Sequence, residues 1–173
     1  MRIMGIDPGT ITTGYGVIDC TDGNSEIVAC GVATAKASLE PAQRLSIIFK
    51  QLEKLVSQYK PEVVAVETPF VGTNISSALA IGKAQALALL AAANKNIPVF
   101  EYSPAKVKQR VSGYGAGSKQ QIQIMVRMEL GLAEFPYPTD AADALAVALC
   151  HVSETRLEQI TGETIRPKKR RSA

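Results

Sequence analysis

The sequence predicts an α/β domain: a five-stranded mixed sheet, an antiparallel meander followed by parallel strands, flanked by helices. Three observations predict it. Near the N-terminus, three short apolar segments follow one another with only turn-length connections, the pattern of adjacent hairpin-linked strands. Two later apolar segments, ending at Glu67 and Tyr102, alternate with stretches of helical periodicity, which is how parallel strands are joined. The chain has 173 residues, 46% of them hydrophobic, which is one domain's worth and enough to bury a core.

The elements follow in order. Arg2 to Asp7 reads as a short buried strand. Gly14 to Cys20 and Glu26 to Thr34 read as two more, with Thr21-Asp22-Gly23-Asn24 as the turn between them. Pro41 opens a helix to about Tyr59, whose Leu45, Ile48, Phe49, Leu52, Leu55 and Val56 recur at helical spacing, and Lys60-Pro61 stops it. Glu62 to Glu67 is a strand in which Val63-Val64-Ala65-Val66 form one continuous apolar run, as in strands covered on both faces. Asn74 to about Ala93 is an alanine-rich helix. Its most apolar run, Ala84 to Ala93, falls short of the about 20 residues that span a bilayer. Ile97 to Tyr102 is the fifth strand, and Pro104 begins a short helix. Ser112 to Gly117 is a glycine-rich loop, and Ser118 caps a helix through Leu130. After the stiff Pro136-Tyr137-Pro138, the last helix starts at Pro138 or Thr139 and runs to about Arg156. Residues 1–156 are expected to form one domain and 157–173 a basic, disordered tail.

Charge is unevenly placed. The net charge of +3 comes from the tail, where Arg166-Pro167-Lys168-Lys169-Arg170-Arg171 carries five positive charges; the remainder has 14 basic and 16 acidic residues. Between Thr68 and Met128 there is one acid, Glu101, against Lys83, Lys95, Lys106, Lys108, Arg110, Lys119 and Arg127. A basic middle flanked by acids suits a protein that places phosphates near bound cations, although a solvated surface gives the same count. The cysteines, Cys20, Cys30 and Cys150, have no CxxC spacing and read as small core residues of a cytoplasmic protein. The N-terminus carries an acid where a signal peptide needs an apolar stretch.

Four carboxylates stand out. Asp7 follows strand residues Ile3 and Ile6, and Glu67 ends the run Val63 to Val66. A charge at the end of a buried strand is costly unless it is paired or binds a cation. Either acid alone has an ordinary explanation: Asp7-Pro8-Gly9 makes a common turn, and Glu67 could pair with a lysine. Asp140 and Asp143 are three apart and share one face of the last helix, among Ala141, Ala142, Ala144 and Ala146. Acids near a helix N-terminus are also favoured by its dipole. Small neighbours, however, let such a helix pack closely and press both aspartates toward the sheet. Four gathered carboxylates repel one another and either take up protons or bind divalent cations, and an all-oxygen set suits Mg²⁺ or Mn²⁺.

Gly5-Ile6-Asp7-Pro8-Gly9-Thr10 with Thr13 to Ile18, then Val66-Glu67-Thr68-Pro69-Phe70, then Tyr102 to Gln109, Lys119 and Asp140-Ala141-Ala142-Asp143-Ala144 closely resemble the RuvC Holliday-junction resolvases. The resemblance runs in order to about His151. It implies an RNase H-like fold, a homodimer and paired symmetric nicks in a four-way DNA junction by two-metal hydrolysis with Mg²⁺, for which Mn²⁺ substitutes. It places Asp7, Glu67, Asp140 and Asp143 on the catalytic acid positions, Lys108 and Lys119 on basic positions used against DNA, and Phe70 on an aromatic that inserts at the junction. The bland readings are a core aromatic for Phe70 and solvated lysines. The resemblance also implies a branch-migration motor and junction-binding partner of the RuvA and RuvB type. His151, roughly two turns and about 12 Å beyond Asp143 along the helix, is too far to complete the site and reads as structural or surface.

Two rival classes remain. Asp7-Pro8-Gly9-Thr10 also resembles the first phosphate loop of actin-like ATPases and sugar kinases, which need a second domain with its own loop. A catalytically inactive or differently targeted RNase H-like nucleic-acid-binding protein would keep the fold and change the activity. Mg²⁺-dependent cleavage of a four-way junction separates them.

Overall fold

A computed structural model describes residues 1–69, 74–113 and 117–162. The strands are β1 (Arg2–Asp7), β2 (Thr12–Thr21), β3 (Asn24–Thr34), β4 (Val63–Glu67) and β5 (Val99–Tyr102). The helices are α1 (Pro41–Tyr59), α2 (Ile75–Ala93), α3 (Pro104–Ser112), α4 (Lys119–Glu129) and α5 (Thr139–Thr161). The sheet order is β3-β2-β1-β4-β5. β1, β2 and β3 pair antiparallel, while β4 pairs parallel to β1 and β5 parallel to β4. The mixed sheet and its two kinds of pairing are those the sequence predicts.

β2 and β3 are longer than expected because the turn between them is only two residues. Asp22 and Gly23 both adopt positive φ, at 51° and 82°, the conformation that matches the twist of a tight hairpin. At the far end, α5 continues five residues past Arg156 and stops at Gly162, which is left-handed and donates its N–H to the Glu158 carbonyl. A glycine just past a helix is the usual stop signal, and here it outweighs the polar composition of residues 157–161. The rest of the expected tail lies outside the described residues.

Side chains alternate across the sheet, so each strand feeds two cores. One face carries Met4, Ile6, Val17, Val64 and Val66 against Ile48, Leu52 and Val56 of α1 and Ala88, Ala91 and Ala92 of α2. The other carries Ile3, Ile18 and Ala65 against α5, with Val107 of α3 and Ile122 and Val126 of α4. Each fully buried aliphatic such as Leu145 contributes roughly 1.5–3 kcal/mol. α2 is 19 residues with mean hydropathy 1.5, long and apolar enough in principle to cross a bilayer, beyond what its Ala84–Ala93 run suggests. Its alanine stripe nevertheless faces α1 and the sheet, and its buried Gln85 donates to Glu101 Oε2 at 2.8 Å, as a core helix does.

Three helix ends follow the expected chemistry. Lys60 closes α1 in the left-handed region. Asn74 Oδ1 accepts from Ser77 N at 3.1 Å at the start of α2. Ser118 forms a full capping box: its Oγ accepts from Gln121 N at 3.2 Å, while its N–H donates to Gln121 Oε1 at 2.8 Å.

Candidate active site

The parity of the strands decides where the acids point. Ile3, Gly5 and Asp7 fall on the α5 face of β1, as Ala65 and Glu67 do on β4. The parallel register pairs Ile6 with Val66, so Asp7 and Glu67 leave the sheet side by side at the C-terminal ends of neighbouring strands. Both exits are pinned. Thr13, fully buried, donates its hydroxyl to the Gly9 carbonyl at 2.7 Å and accepts from Gly9 N at 3.2 Å, closing the turn after Asp7. Thr68 N–H donates to the Tyr102 carbonyl at 2.8 Å, tying the chain after Glu67 to β5.

Glycines bring α5 to the same place. A Cβ added at Gly5 would lie 2.1 Å from the Ala144 carbonyl oxygen, and one at Gly14 would lie 2.0 Å from that of Asp140. The helix therefore rests on bare strand backbone. Gly14 is also the β2 partner of Asp7, so this contact sets Asp140 beside Asp7. Ala141, Ala142, Ala144, Ala146 and Ala148 are all buried, the close packing that the small residues predict.

Asp7, Glu67, Asp143, Lys108 and Lys119 share a pocket of about 280 Å³, walled by Pro104, Val107, Ile122 and Ala146. Asp140 is not on its wall, but its charge acts on Asp7. Burial, then the negative charges of Asp143 and Asp140, push the Asp7 carboxyl up to about 7. Burial, then the charges of Asp7 and Asp143, push Glu67 up to about 7, with Lys108 and Lys119 opposing. Lys119 Nζ donates to Asp143 Oδ2 at 2.6 Å, and this bond, with the charges of Asp143, Asp7 and Asp140, raises the lysine above its ordinary value despite partial burial. The geometry thus gathers Asp7, Glu67, Asp143 and both lysines around one pocket, with Asp140 close enough to act on Asp7 but off the pocket wall. Phe70 lies outside the described residues.

Among the described residues, no three Asp, Glu, His or Cys side chains already enclose a single point as a metal cage does. Asp143 is directed at the Lys119 ammonium. What fits a divalent cation is the donor chemistry and the charge. All the acids offer hard oxygen, and the two buried ones are driven toward protonation by burial and then by one another's charge, which a cation relieves.

Sequence reasoning misses the supports: Thr13, the close-contact glycines, and a buried pair behind the site. His151, 3% exposed, shares a 2.7 Å hydrogen bond through Nδ1 with the Tyr102 hydroxyl and packs in a tilted arrangement against Phe100, at 4.6 Å between ring centroids. Burial holds this imidazole down to about 4, so it stays neutral, and its role is structural. Glycines inside Gly5-to-Gly16 strand segments were the available signal for close backbone approach.

Residues 3–151 match the sequence profile of crossover junction endodeoxyribonuclease RuvC. The enzyme of that name from Dehalococcoides mccartyi is 56% identical over 163 residues, covering 94% of this chain and 99% of its own. Thermus thermophilus RuvC superposes with a TM-score of 0.83 at 33% identity, covering 91% of this chain and 96% of its own. The same protein solved in complex with a Holliday junction substrate gives a TM-score of 0.84 at 34% identity over the same shares. The sheet and helix arrangement is RNase H-like, and the chain belongs to the RuvC family of crossover junction endodeoxyribonucleases.

Proposed function

We propose that this chain resolves four-way DNA junctions in recombination and repair, cutting two opposed strands by symmetric nicks. The observation that carries this reading is the convergence of acids from β1, β4 and the first turns of α5 on one pocket rimmed by Lys108 and Lys119. The junction as substrate comes from the family and from the relative solved with that DNA.

Asp7, Glu67, Asp140 and Asp143 would hold the metal, which the hard-oxygen set favours as two Mg²⁺ ions, with Mn²⁺ able to replace them. Divalent cations bound there supply Lewis acidity for phosphodiester hydrolysis. The chain's own groups do the rest. Lys108 and Lys119 draw phosphate toward the acids as point charges. Lys119, tied to Asp143, is placed to meet negative charge that develops on the phosphate oxygens. Phe70, three residues past Glu67, serves as the aromatic that inserts between bases at the junction.

Paired nicks need two sites related by a two-fold axis, so the working unit is a homodimer. Ile75, Leu79 and Leu90 of α2 are 65%, 63% and 48% exposed on one side of the helix and offer apolar surface for a second copy. A RuvA and RuvB type branch-migration complex is the fitting partner, and the cytoplasm the fitting compartment. The catalytic unit is residues 1–156 with the final turn of α5, followed by the basic tail.

The test is incubation with Mg²⁺ of a four-way junction and a linear duplex of matching sequence, with cut sites mapped. The expected result is symmetric nicks in the junction alone, leaving 5′-phosphate and 3′-hydroxyl ends. Junction binding with no cutting in any divalent metal would instead identify an inactive relative.

A further inference from the structure

The pocket's second lysine, Lys108, stands on a helix too short to place itself. α3 has nine residues, and helices of that length are marginal without tertiary anchors. Successive residues turn about 100° around a helix, so three groups of α3 side chains face three ways. Val107, 5% exposed, enters the core. Pro104 and Lys108, one turn apart, face the acid pocket. Lys106 and Arg110, also one turn apart, lie on the opposite flank of Val107, and both bind one carboxylate, Glu154 of α5.

We propose that Glu154 is a positioning residue for cleavage: by holding Lys106 and Arg110 it fixes the roll of α3 about its axis, and so keeps Lys108 on the wall of the pocket that Glu67 also lines. The contact is built for rigidity. Lys106 Nζ is 2.9 Å from Glu154 Oε1, Arg110 Nε donates to the same oxygen, and the Glu154 side chain is only 12% exposed. Glu154 lies eleven residues past Asp143, about three turns along the same helix. One rigid helix therefore carries two of the acids at one end and the anchor of their basic neighbour further along. Val107 and the half-buried Val111 hold one side of α3 against the core, and the Glu154 contact fixes the flank that they leave free. Without Glu154, the two cations on that flank lose their tether, and Lys108 on the other flank moves with them. Burial raises the Glu154 carboxyl, but the hydrogen bonds from Lys106 and Arg110 prevail and hold it below the usual carboxylate value, so the anchor is charged throughout the neutral range.

The activity readout rests on the nuclease reading above; a second readout does not. In metal-free protein, zero-length carbodiimide crosslinking followed by mass spectrometry reports whether the Lys108 amine meets the Glu67 carboxyl. The Lys119–Asp143 contact serves as internal control. Glu154→Gln is expected to lower the Lys108–Glu67 yield several-fold and leave the control unchanged. In single-turnover junction cleavage with saturating enzyme, the same variant should lose about tenfold in rate, with a smaller loss of junction affinity. That loss should disappear when Lys108 is already Ala, because both changes remove one effect. An unchanged Lys108–Glu67 yield, or losses that multiply in the double variant, would overturn the proposal. If Glu154→Gln fails to fold, the double variant Lys106→Gln with Arg110→Gln removes both cationic partners of Glu154 and must give the same fall in crosslinking. A wild-type protein that cuts no junction would sink the nuclease reading, while the crosslink would still decide the role of Glu154.

Discussion

Replacing Asp7 by Asn should abolish junction cleavage and, in the metal-free protein, raise thermal stability. Burial and the charges of Asp143 and Asp140 lift the Asp7 carboxyl from 3.8 to about 7. A folded-state value above the unfolded one means that the native state holds the extra proton between these two values. Stability from this group is therefore full below the lower value and is lost as pH rises through the upper one. A shift of roughly three units corresponds to about 4 kcal/mol as a ceiling. Asp7 borders a solvent-reached pocket, and screening and water penetration leave about 1–2 kcal/mol of that at pH 8. In a domain of this size the midpoint should rise by about 2–8 °C. Calorimetry in EDTA at pH 8 measures it. At pH 5 wild-type Asp7 carries its own proton, so the difference should largely vanish. Added Mg²⁺ should reverse the order, because the wild type gains stability by binding the ion. A variant no more stable than wild type at pH 8, or stabilised equally at both pH values, would refute the claim that crowded negative charge strains the site.

Other perturbations separate the parts. Lys119→Ala should lower the single-turnover rate by about tenfold or more, and Lys95→Ala should leave it near wild type; equal losses would point to diffuse charge rather than a placed ammonium. Gly14→Ala drives a methyl into the Asp140 carbonyl, so it should cost about 1–3 kcal/mol in denaturant unfolding and also impair cleavage. Normal stability in that variant would show that α5 does not rest on β2 there. Tyr102→Phe strips the buried His151 Nδ1 of its partner and should cost about 1–3 kcal/mol, with the native fold kept. His151 is held down to about 4, so its contribution is present above the ordinary histidine value and fades as pH falls toward 4; a Tyr102→Phe loss that grew as pH fell toward 4 would contradict its neutral state.

Much of the site was legible because its signals are local. Asp7 and Glu67 each end an apolar run, and the run's parity carries the acid to a definite face. Asp140 and Asp143 sit three apart in an alanine-rich segment, which predicts a helix that packs tightly with both on one side. What no local pattern reveals is which strands are neighbours: β4 lies beside β1 only because the crossover through α1 returns it there. The supports were harder to see for the same reason. Thr13 is unremarkable in sequence, and its two bonds to Gly9 exist only once β2 folds back on β1. His151 read equally well as surface or structure until Tyr102, 49 residues away, was placed against it. The polar, basic composition after Arg156 suggests that the last helix ends there, whereas the left-handed Gly162 closes it five residues later.

Acids from three separate segments, β1, β4 and α5, are expected to form one divalent-metal site. Anomalous diffraction from crystals equilibrated with Mn²⁺ tests it most directly. The expected map has density about 2–2.5 Å from oxygens of Asp7 and of at least one acid each from β4 and α5. Strong peaks at saturating Mn²⁺ found only elsewhere, or Glu67 pointing away from the aspartate pair in the metal-bound crystal, would contradict it.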